Sequence, residues 1–455
     1  MFKVHELLTA TKGTLISGDQ DSIATGISID SRSIKPDEAF IAIKGDTFDG
    51  HDYIYEAIKK GAGIAIVQSS KFKVQSSKGV SLILVKDTVK ALGDIARYQR
   101  HKINIPLIAV TGSNGKTTTK EMIAWLLSKK FKVLKNEGTK NNHIGLPLTL
   151  LKLKSSYDIA VVELGTNHPG EIRYLAKIAL PNIAVITNIG PSHLEFFSDL
   201  NGVLKEKYCL VKHLLLPNIA VLNSDDRLLR KEVNKKIKRP FILGFGVKSK
   251  SDFFASDIKV YDRYIEFMAN RKERITLKTL GSYNIYNALA ALTVTRIFGM
   301  GYKDIAQAFS NFDFPYGRLK LIELNNVRFI DDTYNSNPGS LKQALYTLGS
   351  LKTKGRKIFV MGDMLELGEQ KEVFHRHAGS LAARVCDSLI TVGQLSKLAA
   401  QQAESLGFSV KNIFTCDSSQ QARDFIFKKI SLKPEDIILV KGSRSMRMEE
   451  IFKGQ

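Results

Sequence analysis

One glycine-rich stretch combines the residue types and spacing that bind phosphate groups. Its sequence is Thr111-Gly112-Ser113-Asn114-Gly115-Lys116-Thr117-Thr118. An apolar run at 106–110, which predicts a strand, comes before it, and apolar residues at helical spacing come after it. A turn between a strand and a helix directs backbone N–H groups and the positive helix end at an anion. We therefore predict that Lys116 contacts the outer phosphates of a nucleotide and that Thr117 offers its hydroxyl to Mg²⁺. Val110 stands where the longer form of this loop has its first glycine.

Two further polar residues follow predicted strands. Glu163 lies near the end of the apolar run 159–164, and His193 follows a strand that ends near residue 187. Carboxyl ends of parallel strands meet at one edge of a sheet, so both side chains are expected near the phosphate loop. We favour a Mg²⁺ ligand over a solvent-facing carboxylate for Glu163. For His193, a second Mg²⁺ or a bound ligand and a purely structural role are equally supported.

The elements around these residues alternate between strand and helix. Near-continuous apolar strands are typical of a parallel sheet covered on both faces. They are predicted at 105–110, 159–164, 183–186 and 219–222. Residues 251–280 alternate apolar and charged side chains and predict an antiparallel appendage, which precedes an apolar helix at 286–298.

Short strands and helices on either side of this region predict two further α/β units. A helix at 88–101 marks the first boundary, a linker at 311–317 marks the second, and a polar loop is predicted at 69–78. The predicted fold is therefore α/β with three domains. A small N-terminal module covers 1–103, a central P-loop ATPase-like domain with a parallel sheet covers 104–314, and a C-terminal Rossmann-like domain covers 315–455.

Composition narrows the class of protein further. The formal net charge is +22, but the basic residues are spread along the chain without a nucleic-acid-binding signature. This charge indicates a solvated surface or a field that attracts anionic small molecules, and we expect no nucleic-acid partner. No apolar run has the roughly 18 residues of a membrane helix, so we expect no membrane insertion. Three scattered cysteines and an N-terminus without a secretory core predict a cytoplasmic protein.

The motifs together resemble the Mur ligases, a family of ATP-dependent amide-forming enzymes of peptidoglycan synthesis. The matching residues run in family order and are the loop 111–117, Glu163, Asn188, His193, 284–290, 317–319 and Asp332. Stretches at 30–51, 331–338 and 361–368 are similar to the family members that add D-alanyl-D-alanine. Motifs of the sibling that adds the third amino acid do not occur, and Tyr283 stands where the family often has histidine.

This resemblance implies a reaction. The expected substrates are D-alanyl-D-alanine and UDP-N-acetylmuramoyl-tripeptide, which ATP joins through an acyl phosphate to form the UDP-muramoyl-pentapeptide. ATP and Mg²⁺ are the expected cofactors, and a monomer is expected. The alternatives are the sibling that adds the third amino acid, a folate polyglutamate-type ligase, and a regulatory protein that hydrolyses ATP without ligation.

The resemblance also implies residue roles. Lys207 is expected to be a carbamate that supports the second Mg²⁺, although the residues alone do not distinguish Lys207 from Lys205. Asn284 and Asn287 are expected to contact adenine, with helix capping as the alternative for Asn284. Arg318 and Asp332 are expected to contact ATP, and Ser31, Arg32 and Lys44 the uridine diphosphate end of the substrate. Thr139, Asn141 and Asn142 are expected to line the path of the sugar–peptide. Tyr334, Asn335 and Asn337 are expected to contact the dipeptide. For the last two asparagines, and for the Asp30-Ser31-Arg32 stretch, an ordinary turn is the alternative. Lys441 ends a strand facing the same cleft, and its role stays open.

Overall fold

Three separate sheets with flanking helices organise the chain. The computed structural model describes residues 1–45, 47–68, 79–235 and 239–453. The predicted loop at 69–78 lies outside the described residues. Each sheet has its own apolar core, and the three-domain α/β class predicted from the sequence is confirmed.

The first unit contains a five-stranded sheet and a two-stranded ribbon. The sheet order is β2-β7-β6-β5-β4, with only the β2–β7 pair antiparallel. Its strands are β1 Phe2–Lys3, β2 Thr14–Ser17, β3 Ile23–Ala24, β4 Ile27–Ser28, β5 Ala39–Ile41, β6 Ile64–Val67 and β7 Ser81–Leu84. Its helices are α1 Val4–Thr11, α2 Ile54–Lys59 and α3 Thr88–Lys102, with a 3₁₀ turn at Gly50–Tyr53.

The central unit contains a nine-stranded sheet in the order β16-β15-β14-β13-β12-β11-β8-β10-β9. The strands are β8 Leu107–Thr111, β9 Val133–Lys135, β10 Ile159–Glu163, β11 Ile183–Ile186, β12 Ile219–Asn223, β13 Phe241–Gly246, β14 Phe253–Val260, β15 Ile265–Ala269 and β16 Glu273–Leu277. The helices are α4 Lys116–Leu127, α5 Gly145–Leu150, α6 Glu171–Ala179, α7 Leu194–Phe197, α8 Leu200–Lys212, α9 Leu229–Val233, α10 Asn284–Ile297 and α11 Tyr302–Ser310.

Strands β8 to β14 pair in parallel, and β14, β15 and β16 form the predicted antiparallel appendage as a continuation of the same sheet. Alternate residues of β8 enter different cores. Ile108 and Val110 pack on one face, whereas Leu107 and Ala109 pack on the other. Burial on both faces explains why these strands are apolar throughout.

The third unit contains a six-stranded sheet in the order β17-β18-β22-β19-β20-β21, and only β17 is antiparallel. The strands are β17 Lys320–Leu324, β18 Val327–Asp332, β19 Lys357–Gly362, β20 Ser388–Val392, β21 Ile413–Cys416 and β22 Ile437–Lys441. The helices are α12 Pro338–Ser350, α13 Lys371–Val385, α14 Lys397–Ser405 and α15 Ser419–Lys428, with 3₁₀ turns at Gly368–Gln370, Val410–Asn412, Arg444–Met446 and Met448–Phe452.

The two segments predicted to separate the units are packed rather than free. Helix α3 contacts α1 of the first unit and also α5 and α6 of the central unit. In the predicted linker at 311–317, Phe312 and Phe314 are buried in the central core. Among the residues that the structure describes, no helix has both the length and the apolar character needed to cross a lipid bilayer.

Candidate active site

The phosphate loop lies where the central sheet changes direction, between β8 and its two parallel neighbours. The chain leaves β8 through α4 toward β9 on one side of the sheet and leaves β11 through α7 and α8 toward β12 on the other, which opens a crevice at the carboxyl ends of these strands. Register pairs Val110 with Glu163 and Thr111 with Ile186, so the three strand ends lie level. The predicted juxtaposition of the loop with Glu163 follows directly from this register.

Two glycines of the loop have no room for a side chain. Gly112 has φ +150° and Gly115 has φ +79°, and a Cβ atom would lie 1.9 Å from Thr187 Oγ1 and 2.3 Å from Asn287 Oδ1, respectively. The second contact arises because α10 packs on α4, the helix that begins at Lys116. Any larger residue would push the loop away from α10.

Asn188 fixes the shape of the loop from the neighbouring strand end. Its carbonyl oxygen accepts from Ser113 N at 3.0 Å, and its Oδ1 accepts from Asn114 N at 2.9 Å. Ser113 Oγ donates to Gly190 O at 2.9 Å. The segment after β11, which contains Asn188, therefore holds the phosphate loop in its conformation.

Lys116 lies against the loop that it follows. Its Nζ donates to Gly112 O at 2.9 Å and lies 3.4 Å from Ser113 O. Burial lowers the pKa of Lys116, Glu163 opposes that shift, and Arg318 adds to it. The hydrogen bond to Gly112 O holds the amine against the loop.

Glu163 is buried with one carboxylate oxygen unpaired. Its side chain is in a residue only 1% exposed, Oε1 accepts from Asn141 Nδ2 at 2.6 Å, and Oε2 has no hydrogen-bond partner. An unpaired buried carboxylate oxygen is costly unless a cation or donor binds it. Glu163 and the hydroxyl-bearing Thr117 line the same cavity, and this donor set fits Mg²⁺, which prefers oxygen ligands and retains waters. In the part of the chain that the structure describes, no group of three His, Cys, Asp or Glu residues forms a complete metal cage.

His193 faces the same cavity from the turn after β11. It has a left-handed backbone with φ 52° and begins α7. Its Nδ1 lies 2.6 Å from Glu366 Oε2, a contact with the C-terminal unit. Glu366 lies in the stretch 361–368 that carries part of the family resemblance, but no role was predicted for this residue.

Lys207 is buried on α8, whereas Lys205 is exposed. Burial sets the pKa of the Lys207 amine well below its ordinary range, and the nearby Lys116 cation lowers it further against the opposing effect of Glu206. Glu206 itself accepts from the backbone N–H groups of Gly170 and Ile172, at the start of α6. The Lys207 side chain makes no hydrogen bond or ion pair to another described residue. These features favour the neutral amine that carbamate formation requires.

The two asparagines of α10 differ in position. Asn287 lines the cavity, while Asn284 lies behind it with its amide group satisfied on both sides. Asn284 Nδ2 donates to Thr279 Oγ1 at 3.0 Å, and its Oδ1 accepts from Asn287 Nδ2 at 2.8 Å. Asn284 is the first residue of α10, and its side chain does not cap that helix.

The C-terminal unit reaches the phosphate loop through Arg318. Its Nη2 donates to Thr117 Oγ1 at 3.2 Å, and its guanidinium lies 3.7 Å from the centre of the Tyr334 ring. At the adjacent strand ends, Asp332 and Lys441 are paired in register and form a buried ion pair at 2.6 Å. Burial raises the pKa of Asp332 and lowers that of Lys441, and their contact opposes both shifts.

Asn337 connects the same two units by a second contact. Its Oδ1 accepts from Ser340 N at 2.9 Å, which caps α12, and its Nδ2 donates to Asn114 Oδ1 at 2.7 Å. Asn335 lies beside it, and its Oδ1 accepts from Ser336 N at 2.8 Å. Asn335 and Asn337 thus make the local hydrogen bonds of an ordinary turn, which was the alternative to a binding role. Asn337 in addition contacts the phosphate loop.

These residues enclose a cavity of about 1440 Å³ between the central and C-terminal units. Most predicted site residues line it, and they are Ser113, Asn114, Gly115, Lys116, Thr117, Thr118, Asn141, Asn142, Glu163, His193, Asn287, Arg318, Asp332, Tyr334, Asn335 and Asn337. Those outside its lining are Ser31, Arg32, Lys44, Thr111, Gly112, Thr139, Lys207 and Asn284. Thr111 and Gly112 still belong to the loop itself.

The residues expected to hold the uridine diphosphate end lie on the N-terminal unit. Ser31 is buried and donates to Glu56 Oε2 at 3.1 Å, while Arg32 is exposed and forms a two-pronged ion pair with Asp30. Lys44 is exposed and forms an isolated antiparallel bridge with Asp49. Arg32 and Lys44 therefore present their side chains at the surface of this unit.

Asn136 is a positioning residue that the sequence analysis missed. It is fully buried, and its Oδ1 accepts from Glu163 N at 2.9 Å. Its carbonyl oxygen also accepts from Lys120 Nζ at 2.6 Å. The residue follows β9, a three-residue strand too short to be recognised from its pattern, so no signal marked it.

Models of three protein domains match the chain. The description "Mur ligase family, catalytic domain" matches residues 24–100, "Mur ligase middle domain" matches 110–295, and "Mur ligase, glutamate ligase domain" matches 317–444. Each matched range falls in one of the three units described above.

Whole-length relatives have the same organisation. A UDP-N-acetylmuramoyl-tripeptide–D-alanyl-D-alanine ligase of Bacillus subtilis (strain 168) is 33% identical over 454 residues, which cover 99% of this chain and 97% of the relative. The crystal structure of MurF from Acinetobacter baumannii superposes with a TM-score of 0.88 at 32% identity, covering 99% of this chain and 98% of that one. MurF ligase of Thermotoga maritima in complex with ADP has a TM-score of 0.82 at 31% identity, covering 95% and 96%.

Proposed function

Because the chain belongs to the Mur ligase family, we propose that it is the ligase that joins D-alanyl-D-alanine to UDP-N-acetylmuramoyl-tripeptide. It is an ATP-dependent enzyme of peptidoglycan synthesis. The observation that carries the proposal is the likeness to ligases of this specificity over nearly the whole of both chains. The product is the UDP-muramoyl-pentapeptide.

The reaction activates a carboxylate and then replaces phosphate by an amine. The γ-phosphoryl group of ATP passes to the tripeptide carboxylate, and the amine of the dipeptide attacks the acyl phosphate and releases inorganic phosphate. Both reactants of the first step are anions, so the site must offset their repulsion. Lys116 supplies a positive charge to the outer phosphates. The backbone N–H groups of residues 115–117, at the start of α4, hold the phosphate oxygens, because those of Ser113 and Asn114 already donate to Asn188.

Thr117 and Glu163 hold the first of two Mg²⁺ ions, and His193 holds the second. Bound Mg²⁺ neutralises charge on the phosphate and carboxylate oxygens. The unpaired Oε2 of buried Glu163 supports this assignment, since only a cation or a donor would stabilise it there. Lys207 supports the second cation as a carbamate. Its burial and the nearby Lys116 cation lower the pKa of the amine, which favours the neutral form that reacts with CO₂.

The remaining residues bind the organic parts of the substrates. Asn287 contacts adenine. Asn284 belongs to the same adenine pocket and accepts a hydrogen bond from Asn287, which holds the Asn287 side chain in place. Arg318 and Asp332 contact ATP when the C-terminal domain closes, and Tyr334, Asn335 and Asn337 place the dipeptide. Ser31, Arg32 and Lys44 bind the uridine diphosphate end, and Thr139, Asn141 and Asn142 line the path of the sugar–peptide.

The domain division follows the same roles. Residues 1–103 bind the UDP substrate, 104–314 bind ATP, and 315–455 close on ATP and receive the dipeptide. The protein acts in the cytoplasm as a monomer, and it neither binds nucleic acid nor inserts into a membrane. Its product is a precursor of peptidoglycan, which the cell needs to keep its shape and to divide. The contacts of Arg318 with Thr117 and of Asn337 with Asn114 support a working arrangement in which these two domains touch.

A substrate matrix tests the proposal. Phosphate release and product mass are measured with ATP, Mg²⁺ and either UDP-muramoyl-dipeptide or UDP-muramoyl-tripeptide, each with and without D-alanyl-D-alanine or a diamino acid. The proposal predicts product only from the tripeptide with D-alanyl-D-alanine. Product from the dipeptide with a diamino acid would identify the sibling activity, and phosphate release without any product would identify a hydrolase.

A further inference from the structure

The contact between His193 and Glu366 joins the two domains beside the proposed cation site. Glu366 Oε2 lies 2.6 Å from His193 Nδ1. A carboxylate only accepts hydrogen bonds, so this contact keeps the imidazole proton on Nδ1 and leaves the Nε2 lone pair available. Carboxylates act in this way on metal-binding histidines in many proteins.

Both partners of the contact have unusual backbones. His193 has φ 52° and Glu366 has φ 60°, which places two residues with full side chains in the left-handed region. Such a conformation is unfavourable for residues other than glycine and persists when the surroundings enforce it. The two segments approach each other closely beside this contact, since a Cβ atom added to Gly368 would lie 3.2 Å from the Cα of Glu195.

The loop that carries Glu366 is held in place before it reaches His193. Met364 N donates to the Nε2 of buried His375 at 3.0 Å, and Leu365 N donates to Ser443 Oγ at 2.9 Å. The carboxylate of Glu366 is therefore presented from a fixed loop of the C-terminal domain. Its position relative to His193 depends on how that domain docks.

From this geometry we infer that Glu366 is a positioning residue that orients His193 for cation binding, so that the second cation site is complete only when the C-terminal domain is docked. The inference rests on the proposed function, because it assigns His193 to that cation. It adds a link between domain docking and cation affinity. Glu366 acts through His193 and need not touch ATP or the peptide substrates.

The alternative is an ordinary exposed ion pair. The side chain of Glu366 is 50% exposed, and pairs of this kind contribute little to the free energy of unfolding. Substitution of Glu366 should therefore leave thermal stability nearly unchanged under either reading. The affinity for the second cation distinguishes a positioning role of Glu366 from an ordinary ion pair, because only the positioning role predicts that substitution of Glu366 lowers this affinity.

The test is a Mn²⁺ titration of the full-length protein, followed by the electron paramagnetic resonance signal of the free ion. A nonhydrolysable ATP analogue and UDP-muramoyl-tripeptide are present, and a titration without protein corrects for Mn²⁺ bound to the analogue. We expect Glu366→Ala to weaken one Mn²⁺ site about tenfold or more. Glu366→Gln should recover part of that loss, because its amide oxygen still accepts from Nδ1.

Two controls make the result specific. Glu369→Ala removes the same charge from an exposed position three residues away, and it should bind Mn²⁺ like the wild type. In a His193→Ala background, Glu366→Ala should cause no further loss, since its effect acts through the histidine. In ligation assays, Glu366→Ala should raise the Mg²⁺ concentration needed for half-maximal rate and retain most of kcat at saturating Mg²⁺.

Equal Mn²⁺ affinities in Glu366→Ala and Glu369→Ala would overturn the inference, as would an additive loss in the His193→Ala background. Failure of the proposed function has a different signature. In that case the wild-type protein itself would form no product from UDP-muramoyl-tripeptide and D-alanyl-D-alanine.

Discussion

The hydrogen bond between Asn337 and Asn114 allows the docking of the C-terminal domain to be measured separately from helix capping. Asn337 uses its Oδ1 to cap α12 and its Nδ2 to contact the phosphate loop. Aspartate caps a helix as well as asparagine does, but it lacks the donor. Asn337→Asp therefore removes only the contact between domains, whereas Asn337→Ala removes both interactions.

The expected losses follow from these two interactions. A lost neutral hydrogen bond costs about 1 kcal/mol, and a lost N-terminal cap costs about 1 kcal/mol more. We expect Asn337→Asp and Asn114→Ala each to lower the free energy of unfolding by about 1 kcal/mol, and Asn337→Ala to lower it by about 2 kcal/mol. Combining Asn337→Asp with Asn114→Ala should add little, because both remove the same bond.

Urea unfolding measures these differences with two probes. The single tryptophan, Trp125, lies near the C-terminal end of α4 and reports on the central domain, while circular dichroism reports on the whole chain. The reasoning would be refuted if Asn337→Asp unfolded like the wild type while Asn337→Ala lost only the capping contribution. Strict additivity of the two substitutions would also refute it.

Three further substitutions test the chemistry of the site. Lys116→Ala should lower turnover at least about a hundredfold with the fold intact, because the phosphates lose a fixed charge; near-normal turnover in the folded variant would remove the phosphate-loop assignment. Lys207→Ala should lose most activity and regain part of it with formate or acetate, which supply the missing anion, whereas the exposed Lys205→Ala should behave like the wild type. Wild-type turnover of Lys207→Ala at limiting Mg²⁺ would exclude the carbamate. Because burial lowers the Lys207 pKa, ¹³C-carbamate formed from labelled bicarbonate should be detected by NMR near neutral pH and should diminish as pH falls and the amine is protonated; a label that persists equally in Lys207→Ala would contradict this assignment.

The sequence predicted the central strands well, since residues such as Ile108 and Ala109 are buried on opposite faces and leave a continuous apolar run. Four strands of the central and C-terminal sheets, β9, β13, β17 and β21, were not predicted. In β9, β17 and β21 few residues are buried, so the apolar signal is weak. The antiparallel character of residues 251–280 was predicted from their alternation. Their attachment to the parallel sheet depends on the pairing of β14 with β13, a strand that was not predicted.

The site was predictable where chemistry is encoded in consecutive residues. The phosphate loop, Glu163 and His193 follow strands whose register brings their ends together. Asn136 and Glu366 could not be found in this way, because their roles come from contacts with residues 27 and 173 positions away along the chain. Asn284 was recognised by position in a motif, but only the structure reveals that Asn287 stands between it and the cavity.

The path of one oxygen atom tests the central claim most directly. UDP-muramoyl-tripeptide carrying ¹⁸O in both oxygens of the reacting carboxylate is incubated with ATP, Mg²⁺ and D-alanyl-D-alanine, and the products are analysed by mass spectrometry. Ligation through an acyl phosphate predicts that each released phosphate carries one ¹⁸O and that the new amide of the pentapeptide keeps the other. Released phosphate without ¹⁸O, or phosphate release without a pentapeptide product, would contradict the account.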